Sequence, residues 1–495
     1  MMDRRALTLA GVLAIAVNPN NPQAATHTVC SGPCDFTSVH AAHAAAAPGD
    51  TIRLDYVGAL TEQNIAIRKS LTIEGESAAV TWLQPSQFPF VGGGRVILVS
   101  APNPDTPITV TLRGFTIRHG DSGAQAGGGL LIQQGATVHL EDMILTANNA
   151  RLGGAMSIVG AATITRSELS LNSAELGGGI FQTSALSIPL IIRHSALTDN
   201  TAESGGAVYA NEPLDIEDST LEFNDASDFG GALLLTSSIG DMTRVQMNDN
   251  VARLDGGGIT TLTGQVLRIR DSAIYGNSAG RDGGGLLNDS GVQISLTNVH
   301  IDNNSAERSG GAIYQRGGTL ELAHTTIRSN LADANGNGEG NAGGVFLAEG
   351  TDSRIVSSIL ALNSDNGQEY PDCAGRFSSG NYSLISDSGP ILGGLPCSVS
   401  GFTAGMLFDV PAGLAQIAGT GQLRTSPLAA TSPAIDAGRC VDAAGVSLSA
   451  DQRGAPMPVD GDSSGSAQCD MGAFEFLSSA PAEALVFRDG FEDGP

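Results

Sequence analysis

The stretch Asn277–Leu287 reads "NSAGRDGGGLL", and its three consecutive glycines admit two readings. A phosphate-cradling loop occurs once in a chain, between a strand and a helix. A backbone device recurs. Here the pattern recurs as Asn-x-Ala followed, five or six residues after most of the asparagines, by Gly-Gly-(Gly/Ala) and an aliphatic, in runs such as "GGAM", "GGGI", "GGAV" and "GGAL". The asparagines are Asn148, Asn172, Asn200, Asn224, Asn250, Asn277, Asn304 and Asn330, with a degenerate copy at Asn363. They stand 24 to 28 residues apart, widening to 33 at the last. Such a period describes one solenoid turn with adjustable loops. The glycines shape a backbone.

Each turn can be read backward from its asparagine. Eight positions earlier stand Leu140, Ile164, Ile192, Ile216, Met242, Ile269, Leu296 and Leu322. Three positions earlier stand Leu145, Leu169, Leu197, Leu221, Met247, Ile274, Ile301 and Ile327. Strand side chains alternate, so two columns an odd five residues apart would face opposite ways on one straight strand. Both are apolar throughout, so a corner lies between them. A second turn is expected at the asparagine, and the glycine pair begins a third strand. Three short strands with a corner after each predict a right-handed parallel β-helix. Stacked about 4.8 Å apart, the asparagine amides are expected to bond to one another as a ladder. The corner column Asp142, Arg166, His194, Asp218, Arg244, Asp271, Asn298 and His324 mostly alternates acid with base, which favours register.

Composition bounds the function. The 65 glycines among 495 residues are about 13%, against ~7% ordinarily. A formal net charge of -26 disfavours nucleic acid and anionic membranes as partners. Arg4 and Arg5 precede an apolar run, Ala6 to Val17, too short to span a bilayer; with "PQAA" before Thr26 it reads as a signal peptide over residues 1–25. No later segment is long and apolar enough to be a transmembrane anchor. In an exported chain the couples Cys30 with Cys34, Cys373 with Cys397, and Cys440 with Cys469 read as disulfides.

The ends differ from the repeat. "FTSVHAAHAAAAPGDTIRL" predicts a capping helix over 37–47, then a strand, within an N-terminal cap and first coils at 26–110. Its helix, "PGD" and strand resemble secreted pectate-lyase-like proteins. The repeats at 111–370, with "GGA(I/L/V)" and "LSLN", "LTDN" and "IYGN", resemble those of chlamydial polymorphic outer-membrane proteins. Those proteins end in a membrane β-barrel, for which no room is expected here. From about Pro371, "PDCAGRFSSGNYSLISD", "SPLAATSPAIDAG", "DQRGAPMP" and "CDMGAFEF" closely resemble the choice-of-anchor Q family of bacterial surface proteins. This region, 371–477, is followed by a small-residue linker and tail at 478–495. The resemblance implies a cell-surface or secreted protein. Within it, Asp451 and Arg453 are expected to form an ion pair.

Calcium is the cofactor the sequence suggests. Asp460, Asp462 and Ser464 in "DGDSSGSAQCD" alternate like the start of a calcium loop, with Asp470 near the position of a closing carboxylate. A weaker candidate is the insertion with Asp333, Asn335, Asn337 and Glu339. No catalytic constellation stands out. The favoured function is a non-catalytic surface protein binding extracellular polysaccharide or cell-surface glycan, with Phe181, Tyr209 and Tyr314 as outward rings on equivalent third strands. The alternatives are a polysaccharide lyase or hydrolase, and a purely structural scaffold.

Overall fold

The computed structural model describes residues 24–477 except 92, 184–186, 237, 368, 390–396, 402 and 418–423. The tail at 478–495, and all but the last two residues of the expected leader, lie outside the described residues. The rest is a parallel β-helix of about 14 turns, nearly all β, with one helix among the described residues. First and second strands of successive coils make one sheet of 24 strands, and third strands make another of 12. Register is strict. Leu140 pairs with Ile164 and Leu145 with Leu169, one coil on. Both inward columns are buried, with no member above 2% exposure.

Left-handed residues make the corners. The polar column from Asp142 to His324 has φ of 47–55° at every position. In several coils the first two strands run unbroken through this corner, as in Leu214–Glu222 and Gly264–Tyr275. The second corner falls one residue earlier than the sequence suggests. Ala147, Leu171, Asp199, Phe223, Asp249, Asn303 and Ser329, not the asparagines after them, have φ of 52–56°. That twist aims the preceding side chain outward and the asparagine inward. It explains why Leu171, Phe223 and Leu362 are more than half exposed. A left-handed non-glycine residue costs about 1–2 kcal/mol, so neighbouring bonds must hold it.

A short connecting strand follows each asparagine in the middle coils, such as Thr201–Ser204 and Asp225–Phe229, in a separate 7-stranded sheet. The three-strand reading had absorbed this piece into a turn. The alanine of Asn-x-Ala faces inward there, as Ala226, Ala252, Ala279 and Ala306 are buried. The glycine pair then turns the chain into the third strand. Gly230 has φ +65°, and a Cβ on Gly231 would lie 2.1 Å from the Gly257 carbonyl oxygen. One glycine sets the dihedral, and the other permits close approach of coils.

The N-terminal end is covered by the helix Val39–Ala45, with the Ser38 hydroxyl accepting from the Ala41 N–H. Val39 and Ala42 are buried against the first coils. Parallel pairing runs past residue 371 as far as Leu407–Phe408, which pairs with Leu384–Ile385. The chain then folds back along the second-strand flank. Gln452 Nε2 donates to the Ser272 carbonyl, the Ala473 N–H to Thr326 Oγ1, and the Gly472 N–H to the Ser357 carbonyl. A second apolar cluster, including Ile359, Leu384, Leu428 and Met471, seals this contact. Disulfides join Cys30 to Cys34, Cys373 to Cys397, and Cys440 to Cys469.

Candidate functional site

The asparagines form a buried stack. From Asn148 to Asn363, each Nδ2 donates to the Oδ1 of the next, at 2.9–3.0 Å. Each Oδ1 after the first also accepts the backbone N–H of the preceding asparagine, at 2.9–3.2 Å. Each Nδ2 also reaches the carbonyl of the inward aliphatic in the coil before, as Asn250 does to Leu221 at 2.9 Å. Asn363 donates to Asp372 at 2.8 Å, whose other oxygen takes Ser386 Oγ and the Asp387 N–H. Burial raises the Asp372 pKa. Every amide atom is used, so the stack is structural and has nothing left to offer a ligand.

A parallel serine stack at the first corner escaped the sequence reading. Ser195 Oγ accepts the Ser167 N–H, and Ser219 Oγ the Ser195 N–H, both at 3.1 Å. Its signal was a serine five positions before Asn172, Asn200, Asn224 and Asn277.

The polar corner column pairs only in part. Arg166 holds Asp142 at 2.8 Å and Arg244 holds Asp218 at 2.6 Å, but Asp271 has Asn298 as its neighbour and His324 turns to the Arg439 carbonyl.

The outward column of the third strands is the candidate binding surface where it reaches solvent, at Tyr209, Tyr314 and Phe346; its other members, Phe181 among them, are buried. Ser157, Phe181, Tyr209, Leu234, Thr260, Leu287, Tyr314, Phe346 and Ala374 follow one another in unbroken register. Phe181 and Tyr209 stack at 5.3 Å, and Tyr314 and Phe346 at 4.7 Å. Tyr209, Tyr314 and Phe346 are half-buried, each presenting part of a ring to solvent. Six coil steps separate Phe181 from Phe346, about 29 Å at the usual strand spacing. Beside Tyr314 lies a charged group. Arg316 sits 5.2 Å over its ring, and Arg308 reaches Asp282 at 3.1 Å. Asp255 takes Arg281 and the Asp282 N–H. Asp282 is buried, which raises its pKa. Phe346 was missed in the sequence because the insertion at 333–341 displaces its coil from the regular period.

At the C-terminal end, Asp460 and Asp462 come together with Asp436, their oxygens within 4.8 Å of one another. Ser464 contributes its backbone N–H to Asp460 and Asp462. Asp470 is not part of this group. It turns inward, accepting the Asp436 and Phe476 N–H groups, and Asp436 stands in its place. Three carboxylates have the donor chemistry for calcium, but fall short of its usual six to eight oxygens unless some bind through both. Their oxygens also already accept amides from Asp462, Ser464, Gly465 and Gln468. In the insertion, Asp333 accepts the Asn337 and Gly338 N–H groups, closing its own loop.

Asp470 faces Glu475, which accepts the Asp470 and Val459 N–H groups. Burial, then the Glu475 charge, raises Asp470 to about 8. Burial raises Glu475 to about 7. Asp451 pairs with Arg453 at 2.6 Å, and that guanidinium lies 3.6 Å over the Phe474 ring.

One contact group has the residue types of a hydrolytic triad. Ser426 Oγ lies 2.8 Å from His300 Nε2, and His300 Nδ1 lies 3.3 Å from Asp302. All three are buried, none above 2% exposure. Burial, then Arg328 and Arg424, lowers the His300 pKa to about 3. Arg424 pairs with Asp302 at 2.7 Å. Through the Ser426–His300 and Arg424–Asp302 contacts this group fastens the C-terminal region to the coils.

Comparison with known proteins agrees with the repeat. Residues 298–316 match the Chlamydia polymorphic membrane protein repeat, a span holding Asn304, the Gly310–Gly311 pair and Tyr314. No curated protein matches the chain. Among solved structures, pectate lyase Pel9A is similar at 13% identity and a TM-score of 0.40, over 92% of this chain and 96% of that one. Among the described residues no helix is long and apolar enough to cross a membrane. The chain is thus a parallel β-helix protein with repeats similar to those of chlamydial polymorphic membrane proteins.

Proposed function

We propose that this is an exported, non-catalytic surface protein that binds extended glycans along its third-strand face. The observation that carries the reading is the set of part-exposed rings Tyr209, Tyr314 and Phe346 in one column, held by the stacked pairs Phe181–Tyr209 and Tyr314–Phe346. The part-exposed rings of Tyr209, Tyr314 and Phe346 suit the apolar faces of sugars, while hydroxyls meet polar groups such as Arg316. A featureless scaffold has no need of aligned rings. Export is supported by the basic and apolar N-terminus and the polymorphic-membrane-protein repeat. Surface display is supported by the C-terminal motifs that resemble the choice-of-anchor Q family.

The test is a screen of the mature protein against soluble polysaccharides, with and without calcium, recording retained polymer and newly formed chain ends. Binding without new ends is expected, and Tyr209→Ala with Tyr314→Ala should abolish retention. New chain ends would replace this reading with a polysaccharide-degrading enzyme. Retention unaffected by both substitutions would remove the third face from the account.

A further inference from the structure

Between the strands Thr81–Gln84 and Ile97–Val99 the chain leaves the coil in a loop that reads "PSQFPFVGGG" over 85–94. Phe88, Phe90 and Val91 in its middle are 63%, 54% and 63% exposed. Phe90 is also left-handed, with φ of 58°. That conformation is unfavourable for a bulky residue, and no burial of the ring offsets it. The base of the loop is held nonetheless. A Cβ on Gly93 would lie 3.0 Å from Pro85 Cβ, so the two ends meet, and His119 Nδ1 donates to the Ser86 carbonyl at 3.1 Å. The three apolar side chains are therefore presented to solvent from a fixed support.

Charge sets this loop apart from the rest of the chain. From Ser77 to Pro104 the single charged side chain is Arg95, in a chain that is 15% charged with a net charge of -26. Arg95 donates to the Ala126 and Gly127 carbonyls. Two acids on adjoining coils are engaged as well. Glu62 accepts the Val39 and His40 N–H groups, and Asp121 accepts Asn149 Nδ2. Trp82, the one tryptophan of the sequence, stands three residues before the loop, half-buried with the Arg118 guanidinium 4.1 Å over its ring. Apolar side chains at a tip, with tryptophan and arginine behind them, match the acyl edge and headgroup layers of a bilayer. A protein partner fits less well. The three side chains offer roughly 300 Å², whereas a stable protein interface takes about 800 Å² from each partner. A lipid surface needs no complementary shape.

We infer that this loop inserts into the headgroup–acyl boundary of a zwitterionic lipid bilayer, with Phe88, Phe90 and Val91 in the acyl edge and Trp82 and Arg118 among the headgroups. Anionic lipid is disfavoured, because the acidic surface around the loop repels it. The inference does not rest on the glycan reading. Four coil steps separate the strand after the loop from that of Tyr209, so either surface can fail alone.

The experiment mixes the full mature chain with phosphatidylcholine vesicles and reads Trp82 fluorescence together with flotation of the protein. The mature chain is used because the apolar leader would itself enter lipid. Emission should shift to shorter wavelength, and lipids brominated high on the acyl chain should quench it. Phe88→Ser combined with Val91→Ser should lower the partition about tenfold or more, with the melting transition in place because both side chains are exposed. Replacing part of the phosphatidylcholine by phosphatidylglycerol should weaken binding, and Tyr209→Ala with Tyr314→Ala should leave it unchanged. No flotation at millimolar lipid, a partition indifferent to the loop substitutions, or tighter binding to phosphatidylglycerol would overturn the assignment. Self-association abolished by the loop substitutions, without vesicle binding, would assign the loop to a second copy of the chain instead.

Discussion

Replacing Asn250 by alanine removes one rung from the middle of the asparagine stack, and the structure shows what is stranded. The Asn224 N–H loses its acceptor, which it reaches at 3.0 Å. Asn224 Nδ2 loses one of two partners and keeps the Leu197 carbonyl. The Leu221 carbonyl loses the Asn250 amide, while Asn277 Oδ1 keeps the backbone N–H of residue 250. One buried donor is orphaned outright and three groups are partly so. At about 1–3 kcal/mol for an orphan and less for the others, the expected loss is about 2–4 kcal/mol. Asn250 is wholly buried, so solvent cannot repair the gap. Asn148 stands at the first rung, where only the Gly120 N–H depends on its oxygen, so Asn148→Ala should cost less. Urea unfolding would compare the two, with hydrogen exchange localising the loss, since repeat arrays need not unfold in two states. Asn250→Ala within 0.5 kcal/mol of the unaltered protein, or Asn148→Ala costing as much as Asn250→Ala, would refute the reasoning.

Two further outcomes follow from the C-terminal region. Asp470 and Glu475 titrate near 8 and 7 when folded, above their unfolded values of 3.8 and 4.5. Between those limits the folded form holds more protons, so their contribution to stability falls as pH rises through about 4 to 8. His300 acts oppositely, its folded pKa near 3 making stability rise with pH up to its unfolded value of 6.5. Limited proteolysis should therefore find the C-terminal region more readily released at pH 9 than at pH 6.5; equal release would contradict the assigned burial. Cys440–Cys469 closes a 29-residue separation, so replacing both by serine should cost about 3–4 kcal/mol, localised by the same protease assay to the fold-back region.

The coil was legible because its signal is periodic. Two apolar columns an odd number apart demand a corner, and a buried column such as Leu145 and Leu169 repeats that demand every turn. The exact corner residue was not legible. Ala147, Leu171 and Phe223 share no side-chain chemistry, and only the backbone shows their left-handed twist. The connecting strand hid because strands of two residues, such as Val251–Ala252, carry no pattern of their own. Asp460 and Asp462 stood out through local spacing, whereas Asp436 lies 24 residues before Asp460 and meets it only through folding. Asn298 Nδ2 donates to the Ala450 carbonyl across 152 residues of sequence, beyond the reach of any motif.

The stack of amides has a direction. In each rung one side-chain N–H donates toward the C-terminal coils and the C=O accepts from the N-terminal side, so the dipoles of the amide-to-amide bonds add along the axis rather than cancel. The positive end arrives at Asn363, and the group waiting there is the Asp372 carboxylate, which takes two bonds from that residue. An anion at the positive end of aligned dipoles is favoured for the same reason as at a helix N-terminus. Asp372 therefore works as a terminator. Coils inserted upstream would lengthen the array and leave its ending intact, whereas a coil inserted after Asn363 would have to carry a new carboxylate with it.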